Sequence, residues 1–250
     1  MLTNVSTCTC DEDVFHGSNY CTRLYPLPEG QLLKYGSGVN KTVDADFLAL
    51  PLTAVSDAAI STAKDAGASH VDVRIERTRN GLLSLRDARP ETQSDETIAG
   101  VGVRVIVNGA WGFASSPEIS VDVAKKLALT TVAMAKTSKP LSTELVSLVA
   151  EPVYANQMYV SEYEIDPFAV SDSERKDRLA DLSNRLLKSA GVNHTSANTM
   201  FVKEQKHYAD SYGTSTTQQR VRVQTQIEAI SIGDHGFDLL WSSPLKQLNG

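Results

Sequence analysis

Five histidines and three cysteines are the side chains here best suited to metal or nucleophilic chemistry, and their spacing argues against both. A catalytic zinc centre takes three protein ligands, commonly two His one helical turn apart with a Glu beside them as general base. His16, His70, His194, His207 and His235 are followed by Gly, Val, Thr, Tyr and Gly, and none has a second His one turn on. Cys8, Cys10, His16 and Cys21 place four ligand-type side chains in one short segment. Paired zinc cysteines favour two intervening residues, however, and the segment lacks the strand pattern of a zinc ribbon, so it reads as a leader. All three thiols lie there, away from an organised pocket that would stabilise a thiolate. Ser115-Ser116 and Thr214-Ser215-Thr216-Thr217 offer hydroxyls without a Gly-x-Ser-x-Gly turn, and read as turns. No catalytic residue and no metal ligand is assigned.

Gly100-Val101-Gly102 followed by Arg104 superficially matches a phosphate loop. The residues after it continue as a strand instead of opening a helix, which argues against nucleotide binding. Glycines so placed let another backbone approach a sheet closely. If that backbone is a substrate, Gly100, Gly102 and Arg104 are the substrate-binding candidates, although Arg104 is equally suited to pair with a carboxylate inside the sheet. His70 and His194 each follow a helix C-terminus, where an imidazolium meets the negative end of the dipole, and are read as structural. Tyr154, Tyr159 and Tyr163, with Glu162 and Glu164, form a polar aromatic stretch suited to an edge strand, a partner contact or a peptide rim.

The elements that must position these residues follow from periodicity. Residues 1–45 are polar and aperiodic, which predicts a disordered extension. Ala54 to Ala66 has helix-forming composition and stops at Gly67, a residue suited to a left-handed C-cap. Val71, Val73 and Ile75 alternate with polar residues as in a half-buried strand, and Asn80-Gly81 predicts a hairpin with Leu82 to Arg86 as its return. Ala99 to Val107 is the third strand, with Val101, Val103, Val105 and Val107 on one face; Asn108-Gly109 turns it into Ala110 to Phe113. Ser120 caps a helix over 120–136 with Val123, Leu127, Thr131 and Met134 on one face. Ser171 with Glu174 forms a capping box for the next helix, whose Leu179, Leu182 and Leu186 face the core and which Gly191 follows. Three further strands are expected at His194 to Gln205, His207 to Tyr212 and Arg220 to Ile232.

These spacings carry an internal repeat. Gly67-x-x-His70 recurs as Gly191-x-x-His194, an interval of 124 residues (191 − 67), and Val103, Ile106 and Gly109 fall on Ile227, Ile230 and Gly233 at the same offset. The expected fold is α/β in an α+β arrangement: two helix-strand-strand-strand units, 53–113 and 171–233, sharing a mixed or antiparallel sheet with flanking helices. Helix 120–136 and a connector, 137–170, join them.

With 250 residues, 41% hydrophobic and 22% charged, the chain is long enough for a large domain, and no apolar run approaches the roughly 20 residues of a membrane span. Twenty-four basic against thirty acidic residues give a net charge of -6 and no Lys/Arg block, which argues against nucleic acid and acidic membranes as partners. The absence of a signal-peptide pattern points to the cytoplasm, and cysteines confined to the first twenty-one residues make no disulfide framework.

Read in order, these residues resemble the actinobacterial TldD branch of the TldD/PmbA family. The resemblance rests on Asp46-Phe47-Leu48-Ala49-Leu50-Pro51-Leu52, Gly67-Ala68-Ser69-His70-Val71-Asp72-Val73-Arg74 and Gly102-Val103-Arg104-Val105. It continues in Gly109-Ala110-Trp111-Gly112-Phe113-Ala114-Ser115, Glu151-Pro152-Val153-Tyr154, Glu162-Tyr163-Glu164-Ile165-Asp166-Pro167-Phe168 and the stretch from Gly213 to Arg220. It spans about Asp44 to Ile232, so 46–233 is expected to be the family's N-terminal domain and 234–250 a divergent tail. The resemblance implies a zinc-dependent peptidase for unfolded or extended peptides, formed by two related subunits of which only the TldD type bears metal. The family's His-Glu-x-x-x-His motif belongs to its C-terminal half and has no match here. The expectation is therefore a substrate-handling domain that binds no zinc of its own, partnered as a homo-oligomer or with a TldE/PmbA-like subunit. The alternative is a noncatalytic peptide-binding or assembly module, or an inactive truncated product.

Overall fold

A computed structural model describes residues 42–234 and 236–242. Cys8, Cys10, His16, Cys21 and His235, with the expectations placed on residues 1–41 and 243–250, lie outside the described residues. Helices α1 (Ala45–Leu48) and α2 (Leu52–Asp65) lead into strands β1 (His70–Arg86), β2 (Arg89–Val107) and β3 (Ala110–Ser116), then helix α3 (Val121–Ser138). Strand β4 (Gln157–Val160) and helix α4 (Asp172–Leu187) precede β5 (His194–Asp210), β6 (Ser215–Gly233) and β7 (Gly236–Ser242). The strands form one seven-stranded sheet in the order β3-β2-β1-β5-β6-β4, with β7 also paired to β6. Only the β4–β6 pairing is parallel. This is the α/β arrangement of two helix-strand-strand-strand units with flanking helices, α2-β1-β2-β3 and α4-β5-β6-β7.

The units meet through β1 and β5, and their ladders keep one register. His70 pairs with Ile106 in the first hairpin, and His194 with Ile230 in the second. The ends are tied reciprocally: the Asp87 amide donates to the Thr195 carbonyl (3.0 Å), while the Ser211 amide donates to the Val71 carbonyl (2.9 Å). In return Asp87 Oδ1 accepts from the Thr195 amide and Ser211 Oγ from the Val71 amide. Every one of these positions is related to its counterpart by the interval seen in the sequence. At the outer hairpins the offset slips, because Val107↔Ala110 and Gly233↔Gly236 close them, and Gly109 and Gly233 are therefore not equivalent turn residues.

Several local expectations are corrected. Asn80-Gly81 makes no hairpin: β1 runs through it, with Asn80 paired to Glu96 on one side and Val202 on the other. The glycine is needed because the Phe201 ring fills the space a Cβ would occupy. The turn lies at Asp87 and Ala88, both with positive φ (49° and 62°), the geometry of a two-residue hairpin loop. His194–Gln205 and His207–Tyr212 are one strand, because Lys206 stays paired with Glu76 and Gln218. The third strand of the second unit is β7, in the segment read as a divergent tail, and the connector contains β4.

Ser120 caps α3 as expected, its Oγ accepting from the Val123 amide, but the buried face is Ala124, Ala128, Thr131, Val132 and Ala135, whereas Met134 is exposed. Small residues win that face because α3 lies directly on β3, where Gly112 leaves room for the Thr131 carbonyl. α2 and α3 cover Val71, Val73, Ile75, Val101, Val103, Val105 and Val107 to form the main core. α4, capped by Ser171 Oγ, closes a smaller cluster of Leu83, Leu85, Leu179 and Ala197 on the same side of the sheet. No described helix is long and apolar enough to cross a membrane.

Candidate functional site

The helices occupy the side of the sheet onto which Val71, Val73 and Ile75 project, so the alternating residues of β1 face the other way. There the register sets Asp72 opposite Arg104 on β2 and Asp210 on β5, and Arg74 opposite Gly102 and Tyr208. On β3, Trp111 and Phe113 join this face, opposite Ile106 and Arg104. The open face at this end is thus a patch of two arginines, two aspartates and aromatic rings.

Asp72 is its anchor. Its side chain is only 1% exposed, and Oδ2 accepts from Arg104 Nε at 2.7 Å. Arg74 lies 3.6 Å from Oδ1, and His70 Nε2 3.4 Å from Oδ2. The Arg104 guanidinium also stacks 4.6 Å from the Trp111 ring, which leaves its terminal amino groups without a hydrogen-bond partner among the described residues. Arg74 sits 5.8 Å over Tyr208, whose hydroxyl donates to Asp210 Oδ2. Burial, with the Asp72 and Asp210 charges, pushes the Tyr208 phenol up to about 12, so it is a donor at neutral pH. His70 is buried against Tyr212, and its Nδ1 has no partner.

Of the sequence candidates, the structure brings Gly100, Gly102 and Arg104 to one stretch of β2. From Val101 to Val107 that strand is paired on both sides, so its main-chain edges are taken and only its open face is available. Gly100 is in close contact with the Ser116 carbonyl, so the backbone it admits is the end of β3. A Cβ on Gly102 would press on the Phe113 ring at 3.2 Å. The carboxylate partner allowed for Arg104 is Asp72. His194 is satisfied by Asp87 Oδ2 at 2.8 Å, whereas His70 is satisfied only in part. The tyrosine stretch holds the edge strand β4, with Tyr159 half-exposed on it.

The sequence assigns no site role to Asp72, Arg74, Trp111 or Tyr208, although the first three lie in the stretches that carry the family resemblance. Their signal was polar residues alternating with buried valines, which becomes a site only once the ladders are known. Chemically the patch offers positioned N–H donors and aromatic surface. Among the described residues no group of three or more His, Cys, Asp or Glu is placed to hold a metal ion.

Beyond Arg104, β3 pairs with β2 alone and ends the sheet. Ser138 Oγ donates to the Trp111 carbonyl, and from Gly112 to Ser116 no described strand lies along the outer side of β3.

Compared with known families, residues 71–135 match the model described as PmbA/TldA metallopeptidase domain 1, a span that contains Asp72, Arg74, Gly100, Gly102, Arg104 and Trp111. No curated protein matches the sequence. Among solved structures, the fold is similar to a proposed modulator of DNA gyrase from Bacteroides thetaiotaomicron, with TM-score 0.62 and 13% identity over 76% of this chain and 44% of that one. It is similar also to a proposed gyrase modulator from Thermotoga maritima (TM-score 0.58, 16% identity, 76% and 42%). TldE from Thermococcus kodakarensis gives TM-score 0.53 and 15% identity over 76% and 42%. The chain spans less than half the length of each, and at these identities the likeness is one of fold.

Proposed function

We propose, from the match of residues 71–135 to the PmbA/TldA metallopeptidase domain 1 model, that this chain is the substrate-handling domain of a zinc-dependent peptidase acting on unfolded or extended peptides. The peptide adds along the outer side of β3 and is held from the open face by Arg104. The observation that carries this reading is the coincidence of a strand edge, Gly112 to Ser116, that pairs with no described strand, and a guanidinium fixed by a buried carboxylate whose terminal amino groups have no hydrogen-bond partner among the described residues. Strand addition gives a sequence-tolerant grip through main-chain hydrogen bonds, which suits substrates that lack a fold. Arg104 supplies charge-assisted bonds to a peptide carbonyl or carboxylate, and Trp111 and Phe113 supply apolar contact. Hydrolysis belongs to residues other than those described. The TldE-like fold supports assembly with a related subunit.

Arg104→Ala is expected to raise the KM for an extended peptide in an enzyme that includes this domain, with kcat changed less. An unchanged KM removes Arg104 from substrate binding. A second reading is a noncatalytic binding or assembly module; its support is that no group of three metal-ligating side chains occurs among the described residues. Stoichiometric zinc together with peptide cleavage by the purified 250-residue chain would eliminate it.

A further inference from the structure

A second edge of the sheet has a pocket beside it. β4 pairs with β6 alone, in parallel, from Gln157↔Thr216 to Val160↔Gln219, and closes the sheet at the end opposite β3. Alternate main-chain groups along its outer side therefore face no described strand. Against β4, on the helix side, lies a cavity of about 390 Å³. Its apolar wall is Leu48, Leu50, Pro51, Leu52 and Met158, and its polar floor includes His207 and Thr217.

Three features of this cavity point to one kind of occupant. Its lining holds no Asp, Glu, Lys or Arg, in a chain of net charge -6. Its one titratable side chain, His207, is 4% exposed and held below the usual imidazole range by burial, against the opposing pull of Asp57, so the floor is neutral. His207 Nδ1 lies 2.9 Å from Thr217 Oγ1, which fixes the ring. Finally, Leu48 and Met158 at the rim are 42% and 56% exposed, apolar surface that nothing described covers. A charged side chain entering here would lose water and meet no counter-charge in the lining, whereas an apolar one would gain contact on several sides. The volume is of the order of sites that seat small ligands, roughly 300–1,000 Å³.

We infer that the β4 edge and this cavity form a second polypeptide site, distinct from the β3 edge: an extended segment pairs along β4 and seats one uncharged apolar side chain between Leu48, Pro51, Met158 and His207. The segment's main chain supplies affinity without regard to sequence, and the cavity selects which residue is seated. The inference shares with the proposed function only the premise that the domain binds extended chains.

The test is fluorescence anisotropy of the 250-residue protein with dye-labelled heptapeptides of alternating Thr and Ala whose central residue is Leu or Lys. The Leu peptide is expected to bind at least tenfold more tightly than the Lys peptide. Met158→Glu and, separately, Leu48→Glu should each erase that preference, and both residues are exposed enough that the fold, checked by circular dichroism, should survive. Leu141→Glu, at an 84% exposed leucine outside both edges, should leave the preference intact. Equal binding of the two peptides, or a preference that survives both rim substitutions, overturns the pocket while leaving peptide handling at β3 standing. A preference lost in Leu141→Glu as well also overturns it. No binding of either peptide sinks this inference together with the proposed function.

Discussion

Replacing Asp72 by Asn should cost more than replacing Arg104 by Met, although each removes one half of the same 2.7 Å contact. The asymmetry follows from exposure: the Asp72 side chain is 1% exposed and that of Arg104 37%. A hydrogen bond to a charged group contributes about 1.5–3 kcal/mol, and a buried site stripped of its charge must still host the partners. An asparagine at this position would turn an amide donor or a weakened acceptor toward Arg104, Arg74 and His70, so about 2–4 kcal/mol is expected for Asp72→Asn. Arg104→Met leaves the carboxylate with Arg74 at 3.6 Å and His70 at 3.4 Å, and lets water approach from the open face. Its loss should be about 1–2 kcal/mol, of which the stacking on Trp111 accounts for about 0.5–1. The double variant should then cost less than the two single ones together by about 1–2 kcal/mol. Urea unfolding of all four proteins by circular dichroism, with m held common, measures this directly. If Arg104→Met equals or exceeds Asp72→Asn, or the two add to within about 0.5 kcal/mol, Asp72 is not the anchor of the patch.

Gly112→Ala puts a methyl group against the backbone carbonyl of Thr131, which cannot swing aside, so a loss of about 3 kcal/mol or more is expected on denaturant titration. Gly81→Ala meets only the Phe201 ring and should cost less, with Phe201→Leu restoring part of it. Ala88→Gly relieves a left-handed backbone (φ 62°) and should raise stability by about 0.5–1 kcal/mol, visible as a higher urea midpoint. His207 has a folded pKa depressed below 6.5, so its contribution is fully present above the unfolded value and is lost as pH falls through the folded one. His207→Gln should therefore flatten the decline of stability below about pH 6.5, and an unchanged slope would show that this imidazole is not the group responsible. Asp87, lowered by the Thr195 amide and His194, acts in the same direction at a lower window, its contribution vanishing as pH drops below the usual carboxylate range.

How far the sequence could be read depended on whether a signal was local. The caps at Ser120 and Ser171 and the Asn108-Gly109 turn are settled within a few residues, and they were legible. Asn80-Gly81 carried an equally strong local signal and misled, because what decides that position is Phe201, a residue more than a hundred places away whose ring needs the space. The face of α3 failed for a related reason. Hydrophobicity favoured Val123, Leu127 and Met134, but contact with a glycine on β3 selects for small size, and the alanines carry the interface. In the candidate site Arg104 was visible as an odd charge among valines. Its partner Asp72 and platform Trp111 belong to different strands and are joined only by register.

The faint repeat in the sequence and the close agreement of the two ladders also have one physical explanation. Antiparallel pairing of β1 with β5 places each position opposite one displaced from its own counterpart, except at the centre, where Arg79 faces Lys203, its own equivalent. Two like charges held directly opposite repel. Each is answered separately: Asp95 holds Arg79 at 2.6 Å, while Asp44, at 3.0 Å, and Asp166 hold Lys203. Burial alone would lower the Lys203 pKa, but the two carboxylates outweigh it and the ammonium is held above its ordinary range. The Phe168 ring lies 4.3 Å from Arg79 and 5.9 Å from Lys203, giving both cations an aromatic face. Asp44 and Asp166 come from segments outside the two ladders, so backbone register is kept in common while the compensating side chains differ. Such an arrangement preserves spacing and Gly-x-x-His punctuation but leaves few identities, which is the pattern the sequence carries.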